Sequence, residues 1–346
     1  MYWKWTAIVG LLLTIVIAGL LAREWHAVQN TPLQITEQEI LEIERGEGFS
    51  RLAQRLEERG WVDDSLPLRV WSRLSGHGQS IRAGEYGVGP DTTVPELVEK
   101  LERGDVIQYQ FTLVEGWTFD QVLDAMHEHD AIEATLEEVD ADQVMPLLGF
   151  RELHPEGWFL PDTYRFPRGT TDRQILQRAH ERMREFLDEA WARRQGDLPL
   201  ENPYDALILA SIIERETGRI DERERVAGVF VRRLERNMRL QTDPTVIYGL
   251  DSDDYDGRLR YRHLRTDTPY NTYTRHGLPP TPIAMPGRQA IDAAVNPDDS
   301  EYLYFVSRGD GSHHFSETLE EHNRAVRKYQ LGQEVELDSG RDSSDD

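Results

Sequence analysis

Hydrophobic positions along the chain change their period several times, and the first regime is continuous. From Thr6 to Ala22, "TAIVGLLLTIVIAGLLA", every residue is uncharged, with Trp3, Lys4 and Trp5 on one side and Arg23, Glu24 and Trp25 on the other. Such a run sits at the short end of the roughly 17 to 25 residues that a helix needs to cross a bilayer, and tryptophan at both ends suits the headgroup boundary. The pattern predicts a transmembrane anchor over residues 5–23. A cleaved signal peptide is the alternative, but the exit "IAGLLAREW" offers no clean small-x-small site. With the amino terminus and Lys4 on the short side, the positive-inside rule puts residues 1–4 in the cytoplasm and everything after Trp25 outside.

A short alternating run follows in "LEIERGEGFSRLAQRLEERGWV", then a turn at Gly46 and Gly48 and an amphipathic helix from about Ser50, which can act as N-cap. "IRAGEYGVGPDTTVPELVEKLERGD" repeats the pattern: a strand through Tyr86 and Val88, a turn, and a helix starting near Thr93 with Pro95 in its first turn. Units this small bury little alone, and both a packing module and a carbohydrate-binding module remain open over residues 36–108. A larger domain, 109–332, starts with the strand and helix of "YQFTLVEGWTFDQVLDAM". It contains an aromatic loop, "EGWFLPDTYRF", of a type whose exposed rings can stack on sugar faces. Two long loop-like stretches, "MRLQTDPTVIYGL" and "TPYNTYTRHGLPPTPIAMPG", suggest function, because loops of that length in a compact domain are usually functional. The domain closes with "EYLYFVSRGDGSHHF", read as two strands about an Asp-Gly turn, and a helix through "EEHNRAVRKY". Residues 333–346 read as a disordered acidic tail. The expected class is α+β: one transmembrane helix, a small strand-helix module and a larger mixed domain.

Composition narrows the chemistry. The 346 residues carry 63 acidic and 39 basic side chains, a formal net charge of −24, which repels nucleic acid and anionic lipid. With no cysteine there are no disulfides, thiolate nucleophiles or zinc knuckles. No glycine-rich phosphate loop is present, and His313 with His314 lacks metal-ligand spacing, so neither a cofactor nor a metal is expected.

The candidate chemistry lies in "ALILASIIERETGRIDERERVAGVF", Ala206 to Phe230, where an apolar stripe runs into Glu214 and Glu216. At about 100° per residue these two carboxylates point roughly 200° apart and cannot share one cleft. Glu216 follows Ile213, Ile212 and Leu209, whereas Glu214 follows Ser211, Ala210 and Leu207, so Glu216 has the more apolar seat. It also lies at a helix C-terminus just before Gly218, where the dipole disfavours a carboxylate. Both influences favour the protonated form that a general acid requires. A surface ion pair of Glu216 with Arg219 or Arg223 is the competing reading. Asp221 and Glu224 can form a capping box for the next helix, which would make "TGRID" a tight connection.

Together, "ASIIERETG", "RLQTDPTVIYG", "YNTYTRHGLPPTPIAMPG" and "YLYFVSRGDGSHHFS....EHN" resemble the endolytic murein transglycosylases, the MltG or YceG-like family, over roughly Leu113 to Tyr329. The resemblance implies a single-pass inner-membrane protein with a LysM-like module and a periplasmic catalytic domain. It also implies cleavage of the β-1,4 bond between N-acetylmuramic acid and N-acetylglucosamine within peptidoglycan strands, leaving a 1,6-anhydro end and terminating elongation, with peptidoglycan synthases (penicillin-binding proteins) as partners. The family's catalytic glutamate falls on Glu216. The strong acidity and the acidic tail depart from the family pattern without touching a motif.

A lytic reaction needs one carboxylate, which donates its proton to the glycosidic oxygen and then accepts that of the muramyl 6-hydroxyl. Gln241, Thr242, Asp243, Tyr248, Asn271 and Tyr273 are the candidates for binding the strand, although Asp243 before Pro244 could simply start a turn and Tyr248 could be core. Two other functions stay open. One is a hydrolytic muramidase with Asp243 as second carboxylate, which would leave a reducing end. The other is a non-catalytic wall-binding scaffold for the synthases.

Overall fold

The computed structural model describes residues 2–137, 139–150, 154–250 and 255–332; the acidic stretch from Glu334 onward lies outside them. The described residues divide into two compact units, one up to residue 110 together with 165–170, the other 111–164 together with the residues from 171 on.

The first unit opens on α1 (Tyr2–Asn30). Its stretch Ile8–Asn30 is long and apolar enough to cross a membrane, a property that signal sequences share. Leu12, Val16 and Leu20 are exposed, and the last turns enter a core: Val28 is buried, with Trp25 packed beside the same cluster. There follow β1 (Glu39–Ile43), α2 (Phe49–Glu58), α3 (Ser65–Ser75), β2 (Gly84–Val88) and α4 (Val94–Arg103). β1 and β2 pair antiparallel from Glu39 opposite Val88 to Ile43 opposite Gly84. The two strand-helix copies therefore share one sheet, and Leu41, Ile43, Tyr86 and Val88 bury against Leu52, Leu56, Leu97 and Leu101. α4 starts where its sequence predicts, with proline in the first turn, and Thr93 and Glu96 form a reciprocal capping box that sequence reasoning does not single out. α2 differs. It begins at Phe49 behind Gly48, and no side chain caps it. Burial of Phe49 sets that start. The ring lies against Gly78, where φ is +81° and an added Cβ would come within 2.8 Å of it.

From Tyr109 the chain runs through β3 (Tyr109–Thr112), α5 (Phe119–His127), β4 (Ile132–Glu133), α6 (Ala141–Leu147), β5 (Thr163–Phe166), β6 (Thr170–Thr171) and α7 (Asp172–Ala192). It continues through α8 (Pro203–Glu216), a 3-10 turn (Ile220–Glu222), α9 (Arg223–Glu235), α10 (Asp243–Tyr248), α11 (Tyr261–Arg265), α12 (Arg288–Val295), β7 (Tyr304–Ser307), β8 (His313–Ser316) and α13 (Leu319–Tyr329). The described strands form four two-stranded pairs, β1–β2, β3–β5, β4–β6 and β7–β8, so the fold is mixed α+β with helices predominating.

α8 is the axis of the second unit. Asn202 caps it, accepting from the amides of Tyr204 and Asp205, and Pro203 occupies its first position. Every residue from Ala206 to Ile213 is buried, and the helix packs against α7, α9 and α12. A helix apolar on all sides is what such a central position demands. α9 departs from the sequence expectation: it follows the 3-10 turn without a side-chain cap, because Asp221 pairs with Arg219 and Glu222 with His313. The rings of "EGWFLPDTYRF" turn inward. Trp158, Phe159, Tyr164 and Phe166 are buried, with Trp158 stacked on Tyr204 at 5.5 Å, so this segment is core and no sugar platform. The two loop-like stretches hold the short helix α10 and an irregular loop that Asn271 stitches together. The hairpin closes as predicted, β7 pairing with β8 from Tyr304 opposite Ser316 to Ser307 opposite His313. Gly309 and Gly311 take left-handed conformations in its turn.

Candidate active site

Glu216 is the last residue of α8, where the helix leaves its terminal carbonyls unpaired and the dipole is negative. Thr217 behind it is extended, which ends the helix and turns the carboxyl toward a cleft of about 390 Å³. The hydroxyl of Thr242, itself buried, donates to Glu216 Oε1. Burial pushes this carboxyl above the ordinary carboxylate range. Asp243 adds to the rise, while the Thr242 hydroxyl, Arg233 and, in its protonated form, His313 act against it. Neither arginine suggested as a surface partner reaches Glu216: Arg219 is paired with Asp221, and Arg223 with Glu214.

The chain segment after α9 supplies the opposite wall. Gln241 is held at φ +52°, a left-handed conformation uncommon outside glycine, with its amide donating to the carbonyl of Thr272. That kink leads through Thr242, whose amide donates to Thr272 Oγ1, into the first turn of α10. Asp243 there accepts a 2.6 Å hydrogen bond from the phenol of Tyr273. Gln241, Asp243 and Tyr273 line the cleft with Glu216, and Thr242 bonds to the carboxyl itself.

Tyr248 and Asn271 are placed elsewhere. Tyr248 lies at the far end of α10, donates 3.0 Å to Glu156 Oε2, and lines a separate cleft of about 770 Å³ with Phe119, Glu156 and Arg215. Asn271 is fully buried; its amide donates to the carbonyls of His263, Leu264 and Thr266, and its Oδ1 accepts from the Tyr273 amide. It shapes the loop that carries Tyr273.

Four side chains that also line the cleft receive no site role from sequence reasoning: Arg233, Tyr304 and His322, and His313, which is weighed there only as a metal ligand. Arg233 is buried, donating to the carbonyls of Leu303 and Leu240, with Tyr304 under its guanidinium at 5.2 Å. His322 stacks on Tyr304 at 5.2 Å, and burial holds its ring below the usual histidine range. His313 hydrogen-bonds through Nδ1 to Glu222 at 2.8 Å. One signal was available: strand alternation puts His313 and His314 on opposite faces of β8. Among the described residues no cluster of three or more His, Asp or Glu could hold a metal ion.

Glu214 points away from the cleft, as the helical geometry predicts, and it is itself buried in an ion pair. Its Oε1 accepts from Arg223 Nη2 at 2.6 Å and its Oε2 from the Gly287 amide at 3.0 Å, with both side chains of the pair almost wholly buried. The apolar-seat argument does not separate the two glutamates, because α8 is buried all round. Their partners do: Glu214 has a cation and Glu216 a hydroxyl.

Glu156 is a third buried carboxyl. Burial raises it to about 7, against the hydrogen bonds it accepts from the Phe119 amide and from Tyr248. A raised carboxyl binds its proton more tightly folded than unfolded, so its contribution is complete below about pH 4.5 and is lost as pH rises through about 7. The thermal midpoint is expected to fall across that window, and Glu156→Gln is expected to flatten the fall. Parallel wild-type and variant melts between those pH values would contradict this assignment.

Fold and site together define a mixed α+β protein that presents, at a helix end inside a polar cleft, a carboxyl whose burial favours the acid form. A family model described as the YceG-like family matches residues 41–328, and the chain belongs to that family. It is similar to a Bacillus subtilis protein named endolytic murein transglycosylase, 28% identical over 84% of this chain and 84% of that one. A Streptococcus pneumoniae protein of the same name is 25% identical over 83% of this chain, which spans 57% of the length of that relative. A crystal structure of a YceG-like protein from Listeria monocytogenes superimposes with a TM-score of 0.52 and 28% identity, covering 84% of this chain and all of that one.

Proposed function

We propose that this protein is an endolytic peptidoglycan lytic transglycosylase, a lyase that cleaves the MurNAc-GlcNAc β-1,4 bond within nascent glycan strands and leaves 1,6-anhydro-MurNAc ends. The observation that carries the reading is Glu216: a carboxyl that burial pushes toward its acid form, hydrogen-bonded to a hydroxyl, and open to a cleft. Protonated Glu216 donates to the glycosidic oxygen as the C1–O4 bond breaks. The resulting carboxylate then accepts the proton of the 6-hydroxyl as that oxygen closes onto C1, which restores the acid. The names of the Bacillus and Streptococcus relatives support the same reading. Gln241, Asp243 and Tyr273 hold the strand, and Thr242 holds the carboxyl. α1 anchors the chain in the inner membrane, with a LysM-like module over 36–108 and a periplasmic catalytic domain over 109–332, beside the synthases that supply the strand. The exposed apolar surface of α1 supports the anchor.

Mass spectrometry of products from purified sacculi tests this. Anhydro ends are the expected result. Reducing ends would point to the hydrolase, for which Asp243 in the same cleft is the observation in favour. Unchanged strands would leave only a scaffold.

Asp243 also offers a pH test. Its charge raises the Glu216 carboxyl, so removing that charge lets Glu216 ionise at lower pH. Asp243→Asn is expected to move the alkaline limb of the rate profile toward lower pH while anhydro product still forms. Loss of all cleavage at every pH would favour Asp243 as the second carboxylate of a hydrolase.

A further inference from the structure

We propose that His313 is a substrate-contacting residue of the Glu216 cleft, where its Nε2 accepts a hydrogen bond from a hydroxyl or acetamido N–H of the bound glycan, and that Glu222 acts as the positioning residue that sets its tautomer. The proposal rests on the glycan-cleaving reading above and adds to it a pair that the one-carboxylate mechanism leaves unused.

The geometry is specific. Glu222 closes the 3-10 turn that follows α8, so the segment that ends on Glu216 carries a second acid six residues later. Its side chain is buried and holds His313 at two points: Oε1 accepts the backbone amide at 3.1 Å, and Oε2 takes Nδ1 at 2.8 Å. A carboxylate only accepts, so Nδ1 carries the proton. The ring lines the cleft, and Nδ1 is turned to Glu222. Nε2 is the nitrogen left for the cleft, and in the neutral ring it is a bare acceptor. Phe305 meets the imidazole edge-on at 5.3 Å and 84°, which restrains its tilt. Alternation along β8 singles out His313: its neighbour His314 lies against Tyr329 at 5.6 Å, within reach of Arg308, on the other face. An oriented acceptor with a buried carboxylate behind it is more than packing requires. Sugar hydroxyls and acetamido groups are the donors that this cleft would meet.

The test turns on the tautomer. In Glu222→Gln the amide oxygen can still accept the His313 backbone amide while the amide N–H₂ donates to Nδ1. The ring proton then moves to Nε2, and the cleft meets a donor in place of an acceptor. Rates of anhydro-product formation on purified strands are compared for wild type, His313→Gln, Glu222→Gln and Glu216→Gln, with ring-nitrogen NMR of histidine-labelled protein reporting the tautomer. Opposing two donors should cost about 10- to 100-fold in kcat/KM. Glu222→Gln is expected to show that loss together with a proton on Nε2. His313→Gln, which keeps an amide near the Nε2 position, is expected to lose less in kcat than in KM. If Glu222→Gln does not fold, the more exposed His313→Gln carries the test alone. Full activity of His313→Gln, or of Glu222→Gln with Nε2 protonated, overturns the proposal while leaving Glu216 in place. Full activity of Glu216→Gln as well would remove the glycan-cleaving reading itself.

Discussion

Glu216→Gln is expected to leave a folded, strand-binding protein in which formation of anhydro ends has dropped by about 10³- to 10⁴-fold. General acid-base groups contribute about 10² to 10⁴, and here one carboxyl serves both steps, which puts the loss at the upper end. Glutamine keeps the shape and still accepts the Thr242 hydroxyl bond, so the cleft is preserved. Stability should hold or rise. Burial disfavours the charged form of Glu216, and a neutral amide removes that cost above the pH at which the carboxyl ionises. Product release from sacculi and a thermal melt on the same preparations check both halves. Cleavage at more than a tenth of the wild-type rate would exclude Glu216 as the acid.

Glu214→Gln should show the opposite profile. The substitution leaves Arg223 buried without its ion-pair partner, and Nε and Nη1 of that guanidinium have no protein partner to fall back on. Breaking a buried pair from one side typically costs about 3–5 kcal/mol, because the remaining charge stays uncompensated. Glu115, 3.6 Å from the same Nη2 but half exposed, offsets part of this and places the cost near about 3 kcal/mol. In a unit of this size that lowers the thermal midpoint by roughly 6–12 °C. Activity below the melting range should change far less than in Glu216→Gln. Adding Arg223→Met should recover much of the lost midpoint, since the cost belongs to the orphaned cation. A midpoint within about 2 °C of wild type would contradict the burial of this pair.

These two neighbours also mark where reading the chain by period succeeds and where it stops. Helical geometry alone separates Glu214 from Glu216 by face, and the C-terminal position of Glu216 follows from the glycine and turn residues behind it. Local signals likewise locate β1, β2, the start of α4 and the closing hairpin, because each depends on residues within a few positions of one another. What decides the chemistry is not local. Arg223 finds Glu214 across the turn, Thr242 reaches Glu216 from 26 positions away, and His313 finds Glu222 from 91. No periodicity encodes such meetings; they arise when α8, α10 and β8 are brought together by packing. The aromatic loop shows the same limit from the other side. Its rings suit a sugar face or a core equally well by composition, and only tertiary burial assigns Trp158 and Phe159 to the core.

The join between α1 and the rest of the first unit also has a mechanical meaning. Val28 and Trp25 already belong to a core while the helix is still running, and Ala22, where the uncharged stretch ends, precedes Val28 by only about 9 Å of helical rise. With α1 in a bilayer there is no slack leash at the membrane surface. The module would stand on a stiff post, at a height and heading fixed by the helix, and would survey a thin layer of wall instead of a sphere swept by a floppy tether. Its sampling would then come from sliding in the plane of the lipid, which makes encounter a two-dimensional search.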